Sequence, residues 1–304
     1  MARPSTSSSA ASGQSSGQQA NGHLAPSSDS NTVRRSTQDS SKEDTDETPD
    51  RIQYDYADVQ SPFTSKPLPY DPTLLPDGKR SLSSIGAQSF WLGFALATSL
   101  VLGAQTAYFD YPIWRLFAFV ASLSLFHFLE YWTTATYNVP VVRASSFLLF
   151  TNGTAYNVAH TCAMLEIVVS TFAFPRFQAK YCNTITISIG LFLIIFGQAT
   201  RSLAMATAGT NFNHTPQMVK KVDHELVTRG VYAYSRHPSY FAFFWWAIGT
   251  QLLVGNKLCL IAYVVVLWKF FHDRIQREER SLVQFFGSEY EAYRKRTRTG
   301  IPFI

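Results

Sequence analysis

From Ile85 onward the chain alternates blocks rich in Leu, Phe, Ala, Val and Ile, long enough to cross a bilayer, with short polar turns. Roughly twenty apolar residues span the hydrocarbon core as a helix, so the pattern predicts an all-α integral membrane protein. It places about six transmembrane helices, near 85–108, up to 137, and near 154–174, 184–205, 239–254 and 258–271. The last two are short for a full crossing and are joined only by Gly255, Asn256 and Lys257. They read as a C-terminal helical hairpin of open depth.

The mean hydropathy of −0.03 averages two unlike parts. Residues 1–80 are Ser, Gln, Thr, Pro and Asp with almost no large apolar side chains. Such a segment buries too little surface to offset the entropy of ordering. The expected organisation is a disordered cytoplasmic tail at 1–80, four membrane helices within 81–208, and a catalytic region at 209–304. That last region combines a polar loop, the hairpin and an amphipathic helix from His272 to Thr299.

Lys79 and Arg80 precede the first span, which puts the tail on the cytoplasmic side; six crossings return the C-terminus there. No short apolar run follows a basic start, so the first span is expected to act as an uncleaved insertion signal. Asn152-Gly-Thr and Asn213-His-Thr match the glycosylation sequon but fall on the cytoplasmic side, and both are expected to stay unmodified. The net charge of +5 sits largely at the edges of spans, where it sets topology and meets anionic headgroups. Membrane lipid is the partner this distribution predicts, not nucleic acid. Cys162, Cys182 and Cys259 lack metal-ligand spacing and read as packing residues.

Several polar groups fall inside the apolar blocks. His127, Glu130, His160 and Glu166 suit either a functional role or helix-to-helix hydrogen bonds. Arg201, near the end of the fourth span, reads as a side chain snorkelling to the interface.

The hairpin brings its two flanks, His224 to Tyr240 and Arg274 to Glu279, to one side of the bilayer. Pro238 suits the first turn of a helix, so Arg236-His237-Pro238 marks the start of the fifth span. A helix start offers unpaired amides and a positive dipole end, a natural seat for a carboxylate, to which His237 and Ser239 can add side-chain bonds. The same residues also suit a helix cap with a basic membrane-edge anchor. Arg274 and Glu278, spaced i, i+4, fit a ligand site or a surface ion pair with Asp273 and Glu279 on a solvated face.

The run HELVTRGVYAYSRHPSY, followed by the hairpin and FFHDRIQREERSLVQFFGSEYEAYRKRTRTGIPF, resembles the isoprenylcysteine carboxyl methyltransferase family. The short RHPxY element is shared with sterol reductases and phospholipid methyltransferases; the whole run with its GxEYxxY tail is far more specific. The resemblance implies methyl transfer from S-adenosylmethionine to the C-terminal carboxylate of a prenylated cysteine in processed CaaX proteins, in the endoplasmic reticulum membrane. Carried over by position, cofactor contacts fall on Gln217, on His224, Glu225, Leu226 and Val227, on Tyr232, on His237, Pro238, Ser239 and Tyr240, and on Glu278. Arg274 matches the arginine on the substrate side, and Arg274 with Glu278 forms the catalytic pair. The chain has Phe241 and Ala242 where a glycine is expected after RHPSY, a departure that narrows helix approach there. The competing readings are a phospholipid N-methyltransferase, which needs a base or anionic pocket for an amine, and a non-catalytic receptor for prenylated tails. Its own end, Gly300-Ile-Pro-Phe-Ile, carries no prenylation cysteine. Oligomeric state is not legible.

Overall fold

The computed structural model describes residues 70–304 except 218 and 221–223. Of the tail expected at 1–80, residues 1–69 lie outside the described residues. Its last part, 70–80, holds a short 3-10 turn, Pro72–Leu74, capped by Asp71, and Lys79 accepts a bond from the Ala144 amide.

The described residues form helices and no named strand, with one isolated bridge between Ser235 and Arg298. The helices are α1 (Leu82–Tyr108), α2 (Trp114–Tyr137), α3 (Thr154–Ala173), α4 (Pro175–Tyr181), α5 (Thr184–Ala208), α6 (Pro238–Val254), α7 (Leu258–Phe286) and α8 (Ser288–Arg296). By length and composition α1, α2 and α5 each suffice to cross a membrane, and α3 with α4 make a fourth if their 119° bend is one broken span. The count of self-sufficient spans is thus three or four rather than six. The reason is local: α6 is only 17 residues long, and α7 turns polar at His272 halfway along. The expected short sixth span and separate tail helix are one continuous α7, which breaks only at Gly287, whose φ of +54° favours glycine.

Large apolar side chains of α1 such as Phe90, Trp91, Leu100 and Val101 are exposed, as a lipid-facing helix requires. The core instead forms where α2, α3, α6 and α7 meet around Phe119, Phe126, Ile167, Trp246 and Val254. Helices α5 and α6 pack most closely, because Gly190, Gly197 and Gly249 line their contact. A Cβ on Gly197 would lie 2.7 Å from the Ala242 carbonyl oxygen and 2.8 Å from Trp246 Cβ. The small residue missed after RHPSY is thus matched by a glycine on the facing helix.

The intramembrane polar groups make structural bonds. Glu166 of α3 caps the start of α7, accepting from the amides of Lys257, Leu258 and Cys259 at 2.7, 2.9 and 2.7 Å. Asn256, buried in the α6–α7 connection, donates to the Ala163 carbonyl at 3.0 Å. His127 bonds the Phe147 carbonyl at 2.8 Å and the Tyr156 hydroxyl at 2.9 Å. Arg201 departs from the snorkelling expectation: it is buried, pairs with both oxygens of Glu130 on α2, and donates to Ser239 Oγ at 2.8 Å. A second helix supplies the counter-charge, so the guanidinium stays inside.

Candidate active site

Pro238 at the first turn of α6 and Gly255 in the left-handed region at its end (φ +68°) fix both boundaries of that helix. Contacts between Phe243 and Phe271, and between Tyr240 and Glu278, set the start of α6 beside the polar half of α7. There the Tyr240 hydroxyl donates to Glu278 Oε2 at 2.6 Å and accepts from Arg274 Nε at 2.9 Å. Arg274 and Glu278 are therefore bridged through a tyrosine, and Arg274 also donates to the His214 carbonyl.

A cleft partly open to the outside lies over this group. His224, Glu225, Leu226, Val227, Tyr232, His237, Pro238, Ser239, Tyr240 and Glu278 all line it. Gln217 lines an adjoining hollow that shares His224 and Glu278. Arg274 is not among the residues lining either space; it reaches them through the Tyr240 hydroxyl, with its guanidinium 5.1 Å from the centre of the Tyr240 ring. The structure thus gathers every residue expected to touch the cofactor around the two adjoining spaces, and Arg274 is bonded to one of them, Tyr240.

The two side chains expected to assist an anion at the start of α6 each hold a partner, with the Ser239 hydroxyl proton left to donate. Ser239 Oγ accepts from Arg201, and His237 Nε2 lies 3.4 Å from Glu279 Oε1. Glu279 is not on a solvated face: it is buried, 2.7 Å from Arg236 Nη2 and 3.2 Å from Arg294 Nε. Burial raises its pKa, but bonds from His237 and Arg236 outweigh that and hold it at about 2. Asp273 does face solvent, paired with Lys269 at 2.8 Å.

Around Glu279 the chain end is sewn to the loop before α6. Arg236 donates to the Thr297 carbonyl, its amide bonds the Arg298 carbonyl at 2.9 Å, and Ser235 Oγ donates to Thr299 at 2.7 Å. Tyr293 donates to the Tyr232 carbonyl at 2.5 Å, and burial pushes its phenol up to about 12. Sequence reasoning allowed Glu130 a helix-to-helix bond, as observed, but missed that Arg201 is its partner and that Arg236 pairs with a buried Glu279. For Glu279 a signal existed: Phe271, Ile275 and Glu279 are spaced i, i+4, i+8, one buried stripe ending in a carboxylate.

Fold and site together define a multi-pass helical membrane protein whose polar cleft is built where two of its helices meet the chain end. The Isoprenylcysteine carboxyl methyltransferase (ICMT) family description matches residues 189–284. A Saccharomyces cerevisiae protein-S-isoprenylcysteine O-methyltransferase is 46% identical over 233 residues, covering 75% of this chain and 95% of that one. The Homo sapiens protein of the same name is 40% identical over 220 residues, 72% of this chain and 75% of its own. A solved eukaryotic intramembrane Ras methyltransferase, an isoprenylcysteine carboxyl methyltransferase, superposes with a TM-score of 0.64 at 36% identity, covering 73% of this chain and 83% of that one. The chain belongs to the isoprenylcysteine carboxyl methyltransferase family. It is a methyltransferase.

Proposed function

We propose that this protein transfers a methyl group from S-adenosylmethionine to the C-terminal carboxylate of a prenylated cysteine in CaaX-type proteins. The observation that carries the reading is the Tyr240 hydroxyl held between Glu278, which lines the cleft, and Arg274, which does not. In this reading the tyrosine stands between the group that binds the donor and the group that binds the acceptor.

The donor set fits such a cofactor. Glu278, Glu225, Asn211 and Asn213 offer polar partners for an amino acid moiety and a ribose, while Phe212, Leu226, Val227 and Phe286 offer apolar and flat surfaces for a purine. In this reading Gln217, His224 to Val227, Tyr232, His237 to Tyr240 and Glu278 hold the cofactor. When bound, it supplies a sulfonium methyl that an already ionised carboxylate attacks without a general base. The chain's own work is alignment and exclusion of water. Arg274 holds the acceptor carboxylate, since its two bonds described here use two of five guanidinium donors. The Arg201–Ser239 and Glu279–His237 bonds fix the first turn of α6, and so keep Tyr240 in place between the two groups.

A lipidated acceptor arrives laterally from the bilayer and the polar cofactor from the cytosol. This fits six membrane segments, the α6–α7 pair among them, with both termini cytoplasmic in the endoplasmic reticulum membrane. Methylation removes the tail's terminal charge and strengthens its membrane binding. The test is radiolabelled methyl transfer from S-adenosylmethionine to N-acetyl-S-farnesylcysteine in purified membranes, with non-prenylated cysteine and phosphatidylethanolamine as parallel acceptors. Base-labile label on the farnesylcysteine alone is expected; label in the lipid overturns the reading.

A further inference from the structure

Next to Arg274, the loop residue His214 carries an unsatisfied atom. Its backbone carbonyl accepts from Arg274, its Nδ1 faces Glu130 Oε2 at 3.8 Å, and its ring lies edge-on to Phe212 at 5.1 Å. Its Nε2 is buried and has no hydrogen-bond partner among the described residues. Buried polar atoms are paired as a rule, and an exception asks what arrives to pair with it.

The charged groups facing this imidazole are Glu130 from α2, Arg201 from α5 and Arg274 from α7. Burial lowers its pKa, Glu130 raises it, and Arg201 and Arg274 lower it again, leaving it at about 4. His214 is therefore neutral at physiological pH. With its one proton on Nδ1, drawn toward Glu130, Nε2 offers a lone pair. It is an acceptor awaiting a donor.

We propose that His214 Nε2 accepts a hydrogen bond from the amide N–H of the acceptor's terminal cysteine, making His214 a specificity residue for peptide-linked prenylcysteine. This rests on the reading that Arg274 holds the acceptor carboxylate. In an acylated cysteine the amide nitrogen and the carboxylate are attached to one Cα, while His214 and Arg274 are joined by a hydrogen bond. Neighbouring groups of the acceptor thus meet neighbouring residues of the site, and the second contact fixes rotation about the first.

The test compares two acceptors, N-acetyl-S-farnesylcysteine and S-farnesyl-3-thiopropionate, which keeps the carboxylate and lipid but lacks the amide. Wild-type protein should prefer the amide in kcat/KM by about tenfold, the size of one net hydrogen bond. His214→Phe should bring that ratio to about one, and His214→Gln, which keeps an acceptor oxygen, should restore part of it. Binding of S-adenosylhomocysteine should be unchanged in both variants; its loss in both would overturn a role confined to the acceptor. Equal loss on both acceptors with the preference retained would mean a structural role and defeat the assignment, as would no wild-type preference. Absence of transfer to either acceptor by the wild type would overturn the proposed function, and this role with it.

Discussion

Two buried carboxylates grip the same turn of α6 from opposite sides, and they do so differently. Glu130 meets one guanidinium, Arg201, which passes the grip on to Ser239 within the bundle. Glu279 meets Arg236, His237 and Arg294 where the chain end closes over the loop. Both carboxylates are almost fully buried, but the side chain of Arg294 is half exposed and that of Arg201 is not. Among the described residues the inner grip has one guanidinium and, at 3.8 Å, the neutral His214 ring; the outer one has two guanidinium groups and His237. The comparison teaches that position, not ion-pair count, decides how much each charge matters.

The inner grip should give the largest effect. Arg201→Met strands Glu130 in an apolar bundle, and breaking a buried pair this way costs about 3–5 kcal/mol. Thermal unfolding in detergent measures it. Replacing both partners, Glu130→Gln with Arg201→Met, should recover most of that loss, because an uncompensated charge is the main cost. A double variant as unstable as the single one would mean that Arg201 acts by packing against the Phe126 and Phe243 rings.

The outer grip should respond to pH. Glu279→Gln should cost about 1.5–3 kcal/mol at neutral pH, the range for hydrogen bonds to charged groups. The Glu279 pKa is held below its ordinary value, at about 2. Its contribution is therefore complete above about pH 4.5 and fades as pH falls toward 2. Melting curves of the two proteins should converge across that window and run parallel above it. A gap as wide near pH 2 as at neutral pH would show that the carboxylate charge is not what the basic residues hold.

These two grips also mark the limit of what the sequence displays. Helix positions were legible because apolar blocks, Pro238 and the Gly255 turn are local signals, whereas the break at Gly287 was not read. The cleft-lining residues were legible through their resemblance to a family and because a short α6–α7 connection returns both flanks to one place. The partners of Glu130, Arg201 and Glu279 were not, since which charge meets which depends on helices 71 residues apart in one case and 43 in another. The continuity of α7 was missed for a related reason: a change from apolar to polar at His272 marks a change of surroundings, not of backbone.

Helix approach supports the inner grip, and Gly197 tests it one turn before Arg201. In Gly197→Ala the new methyl would meet the Ala242 carbonyl and the Trp246 backbone, which have little room to move. Overpacking of this kind costs about 1–3 kcal/mol. Displacing α5 should also loosen Ser239, so donor affinity measured by calorimetry should fall together with stability. Loss of stability with unchanged affinity would separate the inner grip from the cleft.

The smallest effect belongs to the ion pair that the sequence shows most plainly. Lys269 and Asp273 are spaced i, i+4 on α7 and lie 2.8 Å apart, yet both side chains are about half exposed or more. Water and salt compete for such charges, and helix pairs of this kind contribute about 0.3–0.5 kcal/mol. Lys269→Ala should accordingly leave melting temperature and kcat/KM close to wild type, although the pair is one residue from Arg274. Unfolding curves at low and high salt check this, since screening should erase even the small difference. A loss comparable to that of Glu279→Gln would mean that burial is not what separates the gripping pairs from the others.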